Sequence, residues 1–164
     1  MNSVRGLSAI LEHQREAFLR DGPPSLEQRR ADLAKLKQAV KNSADRIADV
    51  ISSDFGSRSR HESLLAEVLV VCGSIRHAVR HLPNWMRPRR VPVSLELKPG
   101  RARIFYQPVG VVGIVSPWNY PFQLAIMPLI AALAAGNRVM LKPSEFAPRT
   151  AQFIAEFLGA LFSR

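Results

Sequence analysis

Residues 110–145 read GVVGIVSPWNYPFQLAIMPLIAALAAGNRVMLKPSE. Two short apolar runs, GVVGIVS at 110–116 and RVMLK at 138–142, flank a longer apolar stretch that closes at Gly136-Asn137. Gly-Asn is a good helix terminator, because glycine takes the left-handed backbone at no steric cost. The order is therefore strand, helix, strand, and a further helix is predicted after Pro148. Neither strand alternates apolar with polar. Such strands want cover on both faces, as in a parallel α/β sheet. In a right-handed crossover unit both strands run the same way, so the residues after each lie on one edge of the sheet. Here those are Ser116-Pro-Trp-Asn-Tyr-Pro and Lys142-Pro-Ser-Glu, and ligands of open α/β sheets bind beyond such carboxyl ends. Pro128 is a local conflict. A proline inside a helix costs about 3 kcal/mol and removes one backbone bond, which predicts a kink or an uneven start.

Working outward, VPVSLELKPGRARIFYQP at 91–108 reads as two strands about a Pro99-Gly100 turn. Val93, Leu95 and Leu97, then Ile104 and Tyr106, predict a ribbon with one apolar face. Before it lie helical patterns. Residues 7–20 form one, broken by RDGPP at 20–24. Ser25, with Gln28 three residues on, starts a second as a capping box. Ser43 caps a continuation that Gly56 stops. A third spans about 61–82 and ends at Pro83. The chain divides on this reading into a helical segment at 1–90, a β-hairpin at 91–108 and a partial α/β unit at 109–164.

The 164 residues are 47% hydrophobic and 22% charged, as expected of a globular protein with a real core. The formal charge of +10 permits contact with polyanions. Most Lys and Arg are interleaved with acids along helical patterns, so a solvated surface is the plainer reading and no specific nucleic acid is expected. One cysteine, Cys72, forbids an internal disulfide and suggests a reducing, cytoplasmic compartment. The longest apolar run falls short of the about 20 residues that span a bilayer, so no transmembrane segment is expected.

Each candidate at the sheet edge has a plain reading as well. Asn119 before Tyr120-Pro121 suits a helix cap. Lys142 suits an exposed strand end. Glu145 suits the N-terminus of the next helix through its dipole. Trp118 suits packing. No Gly-x-Gly-x-x-Gly follows the first strand, so GVVGIVS is not a phosphate loop. The residues alone indicate a ligand crevice of unspecified chemistry.

GVVGIVSPWNYP, AALAAGNRVMLKPSE and the ribbon before them resemble the aldehyde dehydrogenase superfamily, in its N-terminal portion. The style is closest to coniferyl-aldehyde and fatty-aldehyde dehydrogenases, and the match is strongest from about Arg101 to Phe157. The resemblance implies N-terminal helices, an oligomerisation hairpin at 91–107 and the start of a Rossmann-like parallel sheet. It implies oxidation of an aldehyde to the acid with NAD or NADP, through a cysteine nucleophile and a glutamate base. Asn119 would then donate its side-chain amide to the developing oxyanion. Lys142 and Glu145 would meet the adenosine ribose hydroxyls, with Ser144 in the same cofactor site. A carboxylate there weakly favours NAD, because it repels a 2′-phosphate. Val115, Ser116, Pro117 and Trp118 would form the wall beside the cofactor. The family's nucleophile and base lie later in its chains than these 164 residues reach, and Cys72, in the apolar run VLVVCGSI, reads as a buried, inert thiol. This polypeptide is expected to be inactive alone. The alternatives are a subunit of a split dehydrogenase and a non-catalytic interaction protein with a basic surface. Two parallel strands are too few for a stable open sheet, and their edges invite association.

Overall fold

The computed structural model describes residues 2–162. Helix α1 (Asn2–Asp21) is followed by α2 (Leu26–Asn42), α3 (Ala44–Phe55) and α4 (Arg60–Ser63). A π-helical turn (Leu64–Leu69) then runs directly into α5 (Val70–Trp85). Strands β1 (Arg89–Val91) and β2 (Ala102–Ile104) make a hairpin; β3 (Val111–Val115), α6 (Gln123–Ala135), β4 (Arg138–Lys142) and α7 (Pro148–Leu161) complete the chain.

Local chemistry accounts for most boundaries. Ser25 Oγ accepts from Gln28 N at 3.2 Å, which is half of the expected capping box. The Gln28 side chain turns forward to Asp32 instead of back. Ser43 stands at the start of α3 without a side-chain cap bond, and Gly56 ends α3 at φ 77°. The third helix departs from expectation at two points. It contains the π turn, and it passes through Pro83 to Trp85. Proline there forfeits only its own N–H bond. Leu82 beside it is fully buried, so packing holds the last turn in place.

The hairpin is shorter than its pattern predicts. Only Arg89–Val91 and Ala102–Ile104 pair, with Arg90 opposite Arg103. Residues Leu95–Leu97 form a 3₁₀ turn with no buried member. Leu95, Leu97 and Tyr106 are exposed, so the expected apolar face does not form within the chain. Gly100 is required at the return: its N–H donates to the Leu97 carbonyl at 2.7 Å, and a Cβ would lie 2.4 Å from that oxygen.

The parallel crossover is as read. β3 and β4 pair in parallel, with Val111 against Arg138 and Val115 against Lys142. Val112, Ile114, Val139 and Leu141 face the main hydrophobic cluster. That cluster joins Leu33, Leu36 and Val40 of α2 to Ile47 and Ile51 of α3. It continues through Ile75 and Leu82 of α5, Ile126 and Ile130 of α6, and Phe153 and Ile154 of α7. Phe153 and Phe157 stack within it and Phe122 meets both at an angle, centroids 5.5–6.2 Å apart. Burial of each such side chain is worth about 1.5–3 kcal/mol. The second face of the strand pair meets α1 at its start. Arg138 donates to Gln14 at 3.1 Å and to Asp21 at 2.8 Å, while Val115 at the far end is 78% exposed. Cover on both faces is therefore incomplete.

Helix α6 runs through Pro128 and stops where expected. Gly136 takes φ 86°, and Asn137 N reaches back to the Ala132 carbonyl at 2.9 Å. Among the described residues no helix is long and apolar enough to cross a membrane.

Candidate functional site

The register of β3 and β4 fixes the rim. Val115 lies beside Lys142, and Ser116 N donates to the Lys142 carbonyl at 3.1 Å. Both strands therefore end together, and the two polar clusters leave the sheet side by side. Ser116 and Ser144 are buried at this edge; Pro117, Trp118, Asn119, Lys142 and Glu145 are exposed. Ser116 Oγ has no hydrogen-bond partner within the described residues, which leaves a polar atom free just under the rim. Ser144 Oγ accepts from Phe146 N at 3.2 Å and shapes the turn after β4.

Lys142 Nζ donates to Glu145 Oε2 at 2.6 Å. That contact holds the Glu145 carboxyl below its usual range, so it is ionised at neutral pH. Glu145 is thus ion-paired at the rim, just ahead of α7, which begins at Pro148. The Trp118 ring stands 6.1 Å from Phe55 and is half exposed. It forms a wall and is not a core residue.

The capping role open to Asn119 is not what occurs. Helix α6 has Phe122 at its N-cap, with no side-chain cap from its own segment. Its first free amides are met from outside. Glu67 Oε2 accepts from Phe122 N at 2.8 Å and from Gln123 N at 2.9 Å. The Asn119 side chain is left exposed, and no hydrogen bond engages its amide among the described residues. The Asn119 carbonyl accepts from Arg58 Nη1 at 2.8 Å.

Glu67 and Arg58 are what sequence reasoning missed. The available signal was a lone acid in the apolar run LLAEVLVV, four residues from Ser63 and four from Val71. All three are buried. An acid on the core face of a helix must have partners, but nothing in the spacing says that they lie 55 residues away. Burial pushes the Glu67 carboxyl above its usual range, against the pull of the two amides and Arg58.

Cys72 is buried in the core, and burial pushes its thiol up. It cannot serve the rim. A groove of about 880 Å³ lined by residues such as Leu82, Trp85, Met86 and Met127 lies between α5, α6 and the hairpin and contains no rim residue. Its one buried cation, Arg29, is already committed to the carbonyls of Pro24 and Ala134. No cluster of three or more potential metal ligands occurs among the described residues.

The rim thus offers one free amide donor, a paired and ionised carboxylate, an aromatic wall and a buried hydroxyl. This set can bind a polar ligand and stabilise developing negative charge, but it holds no nucleophile. The chain as a whole is similar to known proteins. The chain is 40% identical over 157 residues to coniferyl aldehyde dehydrogenase of a Pseudomonas species, covering 95% of this chain and 32% of that protein. Its backbone matches the substrate-bound state of Staphylococcus aureus AldH with a TM-score of 0.90 at 31% identity, over 96% of this chain and 34% of that one. The fold also matches succinic semialdehyde dehydrogenase of Streptococcus pyogenes, solved with NADP+, with a TM-score of 0.83 at 22% identity over 98% and 34% of the two chains. The chain spans about a third of the length of these relatives. Residues 6–161 match the profile of the aldehyde dehydrogenase family, and the chain belongs to that family.

Proposed function

We propose that these residues form the N-terminal part of an NAD(P)-dependent aldehyde dehydrogenase that oxidises an aldehyde to the carboxylic acid. An aromatic aldehyde of the coniferyl type is the first candidate substrate, a long-chain aldehyde the second. The observation that carries this reading is the shared end of β3 and β4, which sets Ser116–Asn119 beside Lys142–Glu145.

Asn119 is the catalytic residue in this segment. Its unengaged amide donates to the carbonyl oxygen as that oxygen gains charge. A donor already in place costs no reorganisation when the charge appears. Lys142 and Glu145 hold the adenosine ribose. The ionised carboxylate accepts from the ribose hydroxyls and disfavours a 2′-phosphate, which supports NAD over NADP. Val115, Ser116, Pro117 and Trp118 line the cofactor wall, and Ser144 sets the turn that presents Glu145. The free Ser116 hydroxyl and exposed carboxylate suit the ribose side of a dinucleotide, whose nicotinamide supplies the hydride acceptor when bound. The nucleophile and base come from further residues, in the same polypeptide or in a second one. The 164-residue polypeptide by itself does not turn over, because its one cysteine is buried. The exposed Leu95, Leu97 and Phe105 of the hairpin support self-association there in the assembled enzyme.

The test is aldehyde-dependent NADH formation by the native product that contains these residues, assayed with coniferyl aldehyde. Asn119→Ala is expected to lower kcat by about 10²–10³-fold, with little change in KM. Turnover by the purified 164-residue polypeptide would sink the view that it lacks a nucleophile. Activity undiminished in Asn119→Ala would remove the oxyanion role.

A further inference from the structure

The loop from Ser116 to Phe122 has no regular structure, yet it carries the amide that has to be in place before charge develops. Two side chains of the N-terminal segment hold it, Arg58 from the connection between α3 and α4 and Glu67 from the π turn. Arg58 Nη1 donates to the Asn119 carbonyl at 2.8 Å. Glu67 Oε2 accepts from the Phe122 and Gln123 amides at 2.8 and 2.9 Å. One grip holds the peptide unit that leaves Asn119, and the other holds the backbone three and four residues on, so both act on the C-terminal side of that residue.

The grips are also joined. Arg58 Nη1 lies 3.5 Å from Glu67 Oε1, while Arg58 Nη2 donates to Glu62 at 2.8 Å. The guanidinium lies 4.5 Å from the Tyr120 ring centroid and 4.9 Å from that of Phe55. Its side chain is only 9% exposed, and that of Glu67 is fully buried. Glu67 projects from the π turn, a helical distortion found often at functional sites. Arg58 thus links the buried carboxylate that caps α6 to the carbonyl of Asn119 and to the face of Tyr120, the residue after it. We propose that Arg58 and Glu67 are a coupled pair of positioning residues that fix the Asn119 amide for the oxyanion. This rests on the oxyanion role of Asn119.

The test combines a mutant cycle with hydrogen exchange, both on the native product that carries residues 1–164. Arg58→Met and Glu67→Ala are expected to lower kcat about 10–100-fold, since a misplacement near 1 Å costs about 10²-fold, with KM for the aldehyde held within about twofold. In an Asn119→Ala background neither change should lower kcat further, because each acts through that amide. Glu67→Gln, which keeps an oxygen for both backbone amides, should restore most of the loss. Equal losses with and without Asn119 would overturn the proposal. Hydrogen exchange separates positioning from general destabilisation. Amides of 119–123 should exchange faster in Glu67→Ala while those of α2 stay protected. Unchanged exchange at 119–123, or loss of protection throughout the core, overturns it. Should Asn119→Ala leave kcat intact, or the wild type show no turnover, the oxyanion reading fails and exchange alone decides whether the pair holds the loop.

Discussion

Gly136 sits at φ 86°, and a Cβ there would lie 2.5 Å from the guanidinium of Arg29. A flexible arginine would normally step aside. This one is buried and donates to the Pro24 carbonyl at 2.9 Å and the Ala134 carbonyl at 3.1 Å. It thereby closes the C-terminal end of α6, where a cation is favoured. Gly136→Ala therefore meets two penalties. Left-handed backbone costs a non-glycine residue about 1–2 kcal/mol, and displacing Arg29 strips buried carbonyls of their donor. The expected result is a lower urea midpoint, with a loss exceeding the backbone cost alone. A loss no larger than the backbone cost of about 1–2 kcal/mol would show that Arg29 moves freely. At the rim, if Glu145 disfavours a 2′-phosphate as proposed, Glu145→Gln should lower the ratio of NAD to NADP use in steady-state assays. An unchanged ratio would assign that selection elsewhere. Asn119, Lys142 and Glu145 were legible in the sequence because each lies at or just beyond a strand's carboxyl end, and the order of strands alone brings them together. Arg58 and Glu67 were not. Their positions depend on how the helical layer docks against α6, and no periodicity encodes that.

The two helices that follow the sheet strands begin alike. Neither α6 nor α7 carries a side-chain cap from its own segment. Glu67 caps α6, and Asp54 of α3 caps α7, accepting from Arg149 N at 3.0 Å and Thr150 N at 2.8 Å. Sequence reading finds caps by looking at the preceding residues, so it offered Asn119 as a cap for α6 and could not find the acids that perform this role. The hairpin was misread for a related reason. Alternation at Val93, Leu95 and Leu97 signals a strand only if another surface covers its apolar side, and within the chain none does. Asp54→Ala should cost about 1 kcal/mol and speed exchange of the Arg149 and Thr150 amides, while Asp54→Asn should cost less. Equal exchange in both variants and wild type would show that α7 does not need the cap. Glu67 adds a pH dependence. Its folded value is raised by burial, so the folded state holds the proton more tightly than the unfolded one. Its favourable contribution is complete below the ordinary carboxylate range and is lost as pH rises through the raised value. Measured against Glu67→Gln, the wild type should lose unfolding free energy over that window. The opposite slope would mean that Arg58 and the two amides outweigh burial.

On the scale of the whole molecule, the helices and the sheet are unequally served. The helical layer closes one face of the strand pair with a continuous apolar cluster. Among the described residues the other face meets α1, bound near Arg138, and each strand pairs on one side only. Strand edges left open template association, and the exposed hairpin tip offers a second apolar surface. Against these stands a formal charge of +10, which repels copies of the polypeptide from one another. The two forces respond oppositely to salt. Screening shortens the reach of charge from about 10 Å at 0.1 M to about 3 Å at 1 M ionic strength, while apolar contacts persist. The 164-residue polypeptide should therefore associate more strongly as salt rises, as read by sedimentation velocity across a concentration series. Binding through its basic surface to a polyanion would weaken instead. Val115→Lys places a charge on the open strand end, and Leu95→Ser with Leu97→Ser removes the apolar hairpin tip. If the sheet edge drives association, the first variant should restore the monomer and the second should not. The reverse would point to the hairpin. A wild type that stays monomeric from low to high salt would mean that α1 and the surface charge already suffice to protect both.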